Sequence, residues 1–230
     1  MNTKRREAEM VNGSWFKYFH KTGEPIFNDG LCRKYEELLD KMYGNFFDRN
    51  LDPEKGPLLS LGVGYGQTEI PLARKGFRII GIDNDRGVLS LLEENAKNYG
   101  FGRVEARFGN LYSDFHKDYI KKGIQACVSF GVLEHFNRED LDKINKKTIK
   151  ISDKLLFMVP INTPETLRTF KAVNNPIANV DKNGIYRNFW SANFWKNEIF
   201  RGYTILDKCF STHHSRIGRI DMVSYMVKKS

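Results

Sequence analysis

Residues 58–85 read LLSLGVGYGQTEIPLARKGFRIIGIDND, and this stretch decides the fold. Two short apolar runs flank a glycine-rich turn and a helical stretch, and an acid, Asp83, closes the second run. This order predicts a strand, a turn, a helix and a second parallel strand, with the turn and the acid at the carboxyl ends of their strands. An acid roughly twenty residues past the first glycine suits the hydroxyls of a ribose. The stretch therefore predicts a nucleoside-containing ligand.

The spacing of the glycines narrows the choice of ligand. Gly62, Gly64 and Gly66 follow the pattern G-x-G-x-G, and Gln67 stands where the dinucleotide fingerprint G-x-G-x-x-G has its third glycine. This register disfavours NAD and FAD, and with them an NAD-dependent oxidoreductase. A phosphate-binding P-loop is also disfavoured, because no Gly-Lys-Ser/Thr closes the turn.

The same residues resemble a known family. LLSLGVGYG (58–66) and IIGIDND (79–85) resemble motifs I and II of the class I S-adenosylmethionine-dependent methyltransferases. In that family the glycine turn lets the backbone approach the methionine end of the cofactor, where a Cβ would collide. The resemblance implies S-adenosyl-L-methionine as cofactor and Asp83 as the acceptor of both ribose hydroxyls.

Further segments of that family follow in the expected order and extend the resemblance over residues 55–160. RVEARFGNLYS (103–113) resembles the third strand and its exit, ACVSFGVLEHF (126–136) the fourth, and KLLFMVP (154–160) the fifth. Asn110 stands where the family usually has Asp, and its amide oxygen can still accept a hydrogen bond from the adenine amine. The implied cofactor-binding residues are Gly62, Val63, Gly64, Tyr65, Gly66, Asp83, Asn84, Asn110, Leu111 and Phe130.

Short apolar runs that alternate with helical patterns predict βαβ units and a parallel sheet. The predicted strands are 58–62, 77–82, 103–108, 124–130, 154–160, 203–210 and 221–228; the predicted helices lie near 67–75, 85–99, 138–150 and 191–200. The expected fold class is α/β: a Rossmann-like seven-stranded methyltransferase sheet, mostly parallel with an antiparallel last strand, plus a helical N-terminal extension. Residues 1–50 are expected to form this extension or lid, and residues 51–230 the S-adenosylmethionine-binding domain. Residues 161–190, with two prolines and several asparagines, predict a long connection with little regular structure.

Composition limits the cellular setting and the partners. A chain of 230 residues fits one α/β domain, and three widely spaced cysteines without a C-x-x-C pattern indicate reduced thiols. No apolar run is long enough for a membrane span, so a soluble, cytoplasmic protein is expected. The net charge of +9 is compatible with an anionic or nucleic-acid partner, but the basic residues are scattered, as on a solvated surface. The oligomeric state stays open.

His135 is the candidate general base, because it follows the fourth predicted strand and a histidine can accept a proton near neutral pH. Hydrogen bonding within the turn is the competing interpretation. Some relatives bind magnesium through E-x-x-E-H at this point, whereas this chain has Gly131 in place of the first glutamate, so no metal is predicted. His213 and His214 are expected to have a surface or hairpin-loop role rather than to bind a ligand.

The segments outside the resemblance supply candidates for the substrate pocket. They are Trp15, Tyr18 and Phe19 in the extension and Tyr186, Arg187 and Trp190 after the fifth strand. For both groups, anchoring of the segment to the core is the alternative interpretation.

Three functional hypotheses follow. The leading one is a methyltransferase that acts on an oxygen or nitrogen of a small molecule, because the fourth strand ends in SFGVLEH rather than in the Asn/Asp-Pro-Pro-Tyr/Phe of nucleic-acid amino methyltransferases. The alternatives are a nucleic-acid or protein methyltransferase, which the positive charge supports, and a non-catalytic S-adenosylmethionine-binding protein.

Overall fold

The computed structural model describes Trp15, Phe19 and residues 26–173, 186–215 and 218–229. The strands in this part of the chain are β1 Leu58–Leu61, β2 Ile79–Asp83, β3 Val104–Phe108, β4 Ala126–Phe130, β5 Lys154–Pro160, β6 Tyr203–Ser215 and β7 Gly218–Lys229. The helices are α1 Asp29–Tyr43, α2 Phe46–Asn50, α3 Glu69–Arg74, α4 Arg86–Tyr99, α5 Arg138–Thr148, α6 Pro164–Val173 and α7 Ala192–Phe194. None of these helices is long and apolar enough to cross a membrane.

The strands form one sheet of seven in the order β3-β2-β1-β4-β5-β7-β6. The neighbours from β3 to β5 pair in parallel, whereas β7 is antiparallel to both β5 and β6. The prediction of a mostly parallel sheet with an antiparallel last strand is thus confirmed. Because the chain leaves β1 toward β2 on one side and later returns to β4 on the other, a crevice opens at the carboxyl ends of β1 and β4.

Both faces of the sheet are covered, which explains the continuous apolar runs in the sequence. In β1, Leu59 and Leu61 belong to one buried cluster together with Phe157. Leu58 points to the opposite face and packs in a second cluster with Phe46. This alternation follows from the two-residue period of a strand, and it places apolar layers on both sides of the crevice.

Helix α1 begins at Asn28, whose Oδ1 accepts a hydrogen bond from the Leu31 amide at 2.8 Å. It ends at Gly44, a residue with φ of 52°, and α2 begins two residues later. The buried residues of α1 are Leu31, Cys32, Tyr35, Leu39, Met42 and Tyr43. The helical character of this segment is confirmed, whereas the division of the chain at residue 50 stays a prediction.

The prediction of little regular structure in residues 161–190 is wrong for α6. Thr163 caps this helix, because its Oγ1 accepts a hydrogen bond from the Thr166 amide at 3.2 Å, and Pro164 stands at the first helical position. Thr166 and Phe170 are buried, and the helix packs against β7. The prolines and asparagines hid this helix in the sequence. Residues 174–185 lie outside the described residues.

The helix predicted near residues 191–200 is present as α7 followed by a π-helical turn, Trp195–Ile199. Ser191 caps it, since its Oγ accepts a hydrogen bond from the Phe194 amide at 3.1 Å. Trp195 is fully buried and anchors this segment to the core beside β5.

Candidate functional site

The carboxyl ends of the parallel strands open into a cavity of about 400 Å³. Eight of the residues implied to bind the cofactor line it: Gly62, Val63, Gly64, Asp83, Asn84, Asn110, Leu111 and Phe130. Tyr65 and Gly66 do not line it. The Tyr65 side chain is buried instead against α1, where its hydroxyl lies 2.8 Å from the hydroxyl of Tyr35.

The glycine turn after β1 brings bare backbone to the cavity. Gly62 has φ of 72° and Gly64 φ of 52°, and residues other than glycine rarely adopt this backbone conformation. A Cβ on Gly62 would lie 2.8 Å from both methyl carbons of Val132, and one on Gly64 would lie 3.2 Å from the ring of Phe19. The close approach therefore requires glycine at these positions.

Asp83 ends β2 with its carboxylate at the cavity wall. Its Oδ2 accepts a hydrogen bond from the Val63 amide at 3.1 Å, and its Oδ1 accepts one from the Asp85 amide at 3.0 Å. Each oxygen therefore keeps one further acceptor position. Burial raises the pKa of Asp83 to about 6, although the backbone amides oppose the shift. This arrangement suits a ligand that donates two hydrogen bonds.

The loop after β3 forms the adjoining wall. Asn110 turns this loop, because its Oδ1 accepts a hydrogen bond from the Tyr112 amide at 2.9 Å. The ammonium of Lys147, on α5, binds three successive carbonyls of the loop, those of Leu111 at 3.2 Å, Tyr112 at 2.9 Å and Ser113 at 2.6 Å. All three donors of the lysine are thus used to hold one wall of the cavity.

A second carboxylate, which the sequence analysis missed, lies beside the glycine turn. Glu69 begins α3, is only 3% exposed and lines the cavity together with Gln67 and Thr68. Its Oε1 accepts a hydrogen bond from the Ser60 hydroxyl at 2.6 Å. Burial raises the pKa of Glu69 to about 7, more than this hydrogen bond lowers it.

His135 lies at the cavity wall in the turn after β4, as predicted, and is 5% exposed. Its Nδ1 is 2.6 Å from the carbonyl oxygen of Tyr186. Because a carbonyl only accepts, Nδ1 carries the proton and Nε2 keeps a lone pair. Burial and the charge of Arg187 lower the pKa of His135 to about 3. The imidazole is therefore neutral at physiological pH, and these surroundings disfavour the uptake of a further proton.

Glu134, directly before His135, is a third carboxylate in the wall and was not singled out in the sequence. It is 2% exposed, and its Oε1 lies 3.7 Å from His135 Nε2 and 3.9 Å from Arg187 Nη1. Its Oε2 has no hydrogen-bond partner among the described residues. Burial raises the pKa of Glu134 to about 7, while Arg187 opposes the shift.

Beyond Phe130 the walls become apolar, because β5, β7 and helices α1 and α6 supply them. We call this part the apolar chamber; it is formed by Tyr43, Phe130, Met158, Phe170, Ile220 and Met222. The strand order places it on the β5 side of the crevice, away from the Asp83 wall on the β2 side.

The two histidines of β6 face opposite ways, as expected for a strand, and differ in exposure. His214 is exposed, whereas His213 is half-buried and lines the cavity. His213 therefore lies in the β6–β7 hairpin, as expected, but at the cavity rather than on the open surface, and its role stays a prediction. Its position could not be derived from the sequence, because it depends on how far the β6–β7 hairpin extends over the chamber.

The candidate substrate residues divide into two groups. Trp15, Phe19 and Arg187 line the cavity. The ring of Trp15 lies 4.9 Å from that of His135. Tyr186 and Trp190 do not line it: Tyr186 contributes the carbonyl that holds His135, and Trp190 packs against Trp195 at 5.0 Å. Tyr18 lies outside the described residues.

No cluster of three or more histidine, cysteine, aspartate or glutamate side chains that could hold a metal ion occurs among the described residues. The three cysteines are free thiols, and Cys127 is fully buried.

Comparison with known proteins agrees with this architecture. The family model described as "Methyltransferase domain" matches residues 58–152. The Bacillus subtilis protein "Putative methyltransferase YqeM" is 33% identical over 73 residues, which is 30% of this chain and 29% of that protein. The chain thus matches less than a third of the length of this curated relative.

Solved structures resemble the chain over nearly its whole length. A SAM-dependent methyltransferase from Anabaena variabilis superposes with a TM-score of 0.69 at 14% identity, over 97% of this chain and 95% of the other. The magnesium protoporphyrin IX methyltransferase of Synechocystis, with bound SAH, gives a TM-score of 0.67 at 15% identity, over 99% and 100% of the two chains. Residues 58–152 thus match a methyltransferase domain, and the chain has the fold of S-adenosylmethionine-dependent methyltransferases.

Proposed function

We propose that this chain is an S-adenosylmethionine-dependent methyltransferase that transfers a methyl group to an oxygen or nitrogen of a small molecule. The observation that carries the proposal is the single cavity in which a glycine turn and the Asp83 carboxylate adjoin the apolar chamber. One part has the groups that a nucleoside needs, and the other has the walls that an organic acceptor needs.

The residues of the polar part fit S-adenosylmethionine group by group. Asp83 would accept both ribose hydroxyls, because each of its oxygens keeps an acceptor position. Asn110 and Leu111 would contact the adenine, and the Gly62–Gly64 backbone would lie against the methionine end. Glu69 lines the cavity beside Gln67 and Thr68, just after that turn in the chain, and its charge suits the amino group of the methionine moiety.

The bound cofactor would supply an activated methyl group on a sulfonium. The protein's own contribution is to position the acceptor and to exclude water. The apolar chamber would align the acceptor, and alignment alone contributes up to roughly 7–11 kcal/mol in favourable cases. The catalytic role first assigned to His135 stays a prediction, and its hydrogen bond to Tyr186 favours a positioning role for this side chain.

We also propose that residues 1–50 act as a lid over this site. Trp15 packs against His135, and Phe19 lies against Gly64 and against the ring of Tyr65 at 5.1 Å. Phe19→Ala should therefore speed the dissociation of the cofactor. Phe210→Ala, at an exposed phenylalanine, is the matched control. Equal dissociation rates in both variants would remove the lid role.

The first test is thermal unfolding with S-adenosylmethionine, S-adenosylhomocysteine (SAH) or NAD. Binding to the folded state raises the unfolding temperature, so the first two should stabilise the protein and NAD should not. Stabilisation by NAD alone would refute the proposal. Transfer of labelled methyl groups to a panel of small acceptors would then separate an enzyme from a non-catalytic binding protein. Steeply salt-dependent RNA binding would favour the nucleic-acid alternative instead.

A further inference from the structure

Glu134 is a buried carboxylate whose surroundings leave it incompletely satisfied. Its Oε1 has two basic neighbours, His135 Nε2 at 3.7 Å and Arg187 Nη1 at 3.9 Å, and both distances exceed that of a hydrogen bond. Its Oε2 is buried and has no hydrogen-bond partner among the described residues. A buried acceptor without a donor costs free energy, so a group of this kind in a cavity wall calls for a donor from outside the protein.

His135 does not supply that donor. Its single proton is on Nδ1, which donates to the Tyr186 carbonyl at 2.6 Å. Nε2 therefore presents a lone pair toward Glu134 Oε1 and could only accept from it. Arg187 also lies over the ring of Phe170 at 5.5 Å, so its guanidinium is near both the Oε1 side of the carboxylate and the apolar chamber. The charge of Arg187 favours the ionised carboxylate, and in that form Oε2 is available as an acceptor.

The position of Glu134 connects this acceptor to the reaction site. The glutamate lies in the turn Leu133–His135 that follows β4, and the neighbouring Val132 packs on Gly62 of the glycine turn. On its other side begins the apolar chamber, with Phe130 and Met158 at the strand ends and Phe170 from α6. A molecule in the chamber would thus meet mostly apolar walls, with Arg187, His213 and the unsatisfied carboxylate of Glu134 as polar groups of the same cavity.

We infer that the acceptor is an apolar molecule with one O–H or N–H group, and that this group donates a hydrogen bond to Glu134 Oε2. The inference rests on the proposed function, since it assigns the occupant of the same cavity. Glu134 is then the residue that makes the site prefer a molecule with a hydrogen-bond donor over an apolar molecule of the same shape. A site built for a hydrogen bond rejects analogues that lack the donor, because its polar group stays unpaired.

The test uses the full chain saturated with SAH and two probes of nearly equal shape, 4-ethylphenol and 1-ethyl-4-fluorobenzene. The phenol should bind at least about tenfold more tightly than the fluoro compound, which corresponds to one hydrogen bond to a charged group. In Glu134→Leu this preference should disappear. In Glu134→Gln, which keeps an acceptor oxygen, most of it should remain. Glu139→Gln, at an exposed glutamate paired with Lys143, is the control and should match the unaltered protein.

Equal affinities of the unaltered protein for the two probes would overturn the inference, even if every Glu134 variant failed to fold. A preference that persists in a folded Glu134→Leu protein would also overturn it. Failure of the proposed function is a separate result, because it would show as the absence of stabilisation by SAH before any probe is added.

Discussion

Replacing Asp83 with Ala should weaken SAH binding by roughly 10²–10⁴-fold, since a hydrogen bond to a charged group contributes roughly 1.5–3 kcal/mol and two are expected here. The structure sets the number at two, because Oδ1 and Oδ2 each accept one backbone amide and each keep one acceptor position. Burial already removes much of the water from this carboxylate, as its raised pKa indicates. The ligand hydroxyls therefore displace little hydration, which favours the upper part of the range.

Isothermal titration with SAH measures this loss, with Asp142→Asn as the control at an exposed ion pair with Lys146. The substitution also frees the Val63 and Asp85 amides, so the loss could partly reflect a distorted turn. A 2′-deoxy analogue of SAH separates the two effects. It should bind the unaltered protein less tightly than SAH and the Ala variant about equally. SAH binding by the variant within about threefold of the original, or an equal penalty for the analogue in both proteins, would refute the ribose assignment.

The pH dependence of binding gives the same prediction a second measurement. The ionised form of Asp83 accepts both hydroxyls, and its pKa in the free protein is about 6. SAH affinity should therefore fall as the pH drops through about 6 and should level off above it. The difference between the pH profiles of SAH affinity for the unaltered protein and for Asp83→Asn isolates the contribution of Asp83 from that of the other carboxylates in the cavity. An identical pH profile for the two proteins would contradict the assignment.

Three further predictions concern other residues of the site. Lys147→Met should weaken SAH binding about tenfold, because it releases the three loop carbonyls that this lysine holds. Lys146→Met, one residue earlier on the exposed face, is the control and should leave the affinity unchanged. Equal SAH affinities of the two variants would show that Lys147 only adds stability. Gly62→Ala should lower the free energy of unfolding by more than about 2 kcal/mol, because the added Cβ meets Val132. Gly102 has a similar φ but open space around it, so Gly102→Ala should cost only about 1 kcal/mol. Urea denaturation measures both values. Glu69 has a pKa of about 7 when folded against 4.5 ordinarily, so the folded protein binds the extra proton and stability should fall as the pH rises through this window, by up to about 3 kcal/mol. Glu69→Gln should remove this fall, and a pH-independent difference in stability between the two proteins would contradict it.

The sequence predicted the cofactor side of the molecule well because its signals are local. A strand with two buried faces, a glycine turn and an acid at the next strand end are all specified within residues 58–85. Parallel pairing then fixes that Gly62 and Asp83 meet at one edge of the sheet, and the Gly62 amide indeed donates to the Ile82 carbonyl at 2.8 Å. No information from distant parts of the chain was needed.

The other side of the site could not be predicted, because its residues meet through long-range packing. His213 lies about eighty residues along the chain from Glu134, and only the length of the β6–β7 hairpin brings it over the chamber. Glu134 is adjacent to His135 in the sequence, but whether its carboxylate oxygens find hydrogen-bond donors depends on the positions of Arg187 and Tyr186 in the folded chain. Helix α6 was hidden for a related reason: its stability comes from packing against β7 rather than from its composition.

The charge of the whole chain and the charge of its cavity have opposite signs, and this contrast bears on the ligand. The net charge of +9 arises from basic residues over the entire sequence, whereas the described walls of the cavity contain three carboxylates, Glu69, Asp83 and Glu134, and one arginine, Arg187. Burial raises the pKa of all three, and a cationic ligand would relieve this cost, since a nearby positive charge favours the ionised form. S-adenosylmethionine carries a sulfonium and an ammonium, and the cavity offers carboxylates beside the glycine turn and at the border of the apolar chamber. The positive charge is a property of the whole chain, whereas these carboxylates line one cavity, so they favour a cationic cofactor there and do not choose between a small-molecule and a nucleic-acid acceptor.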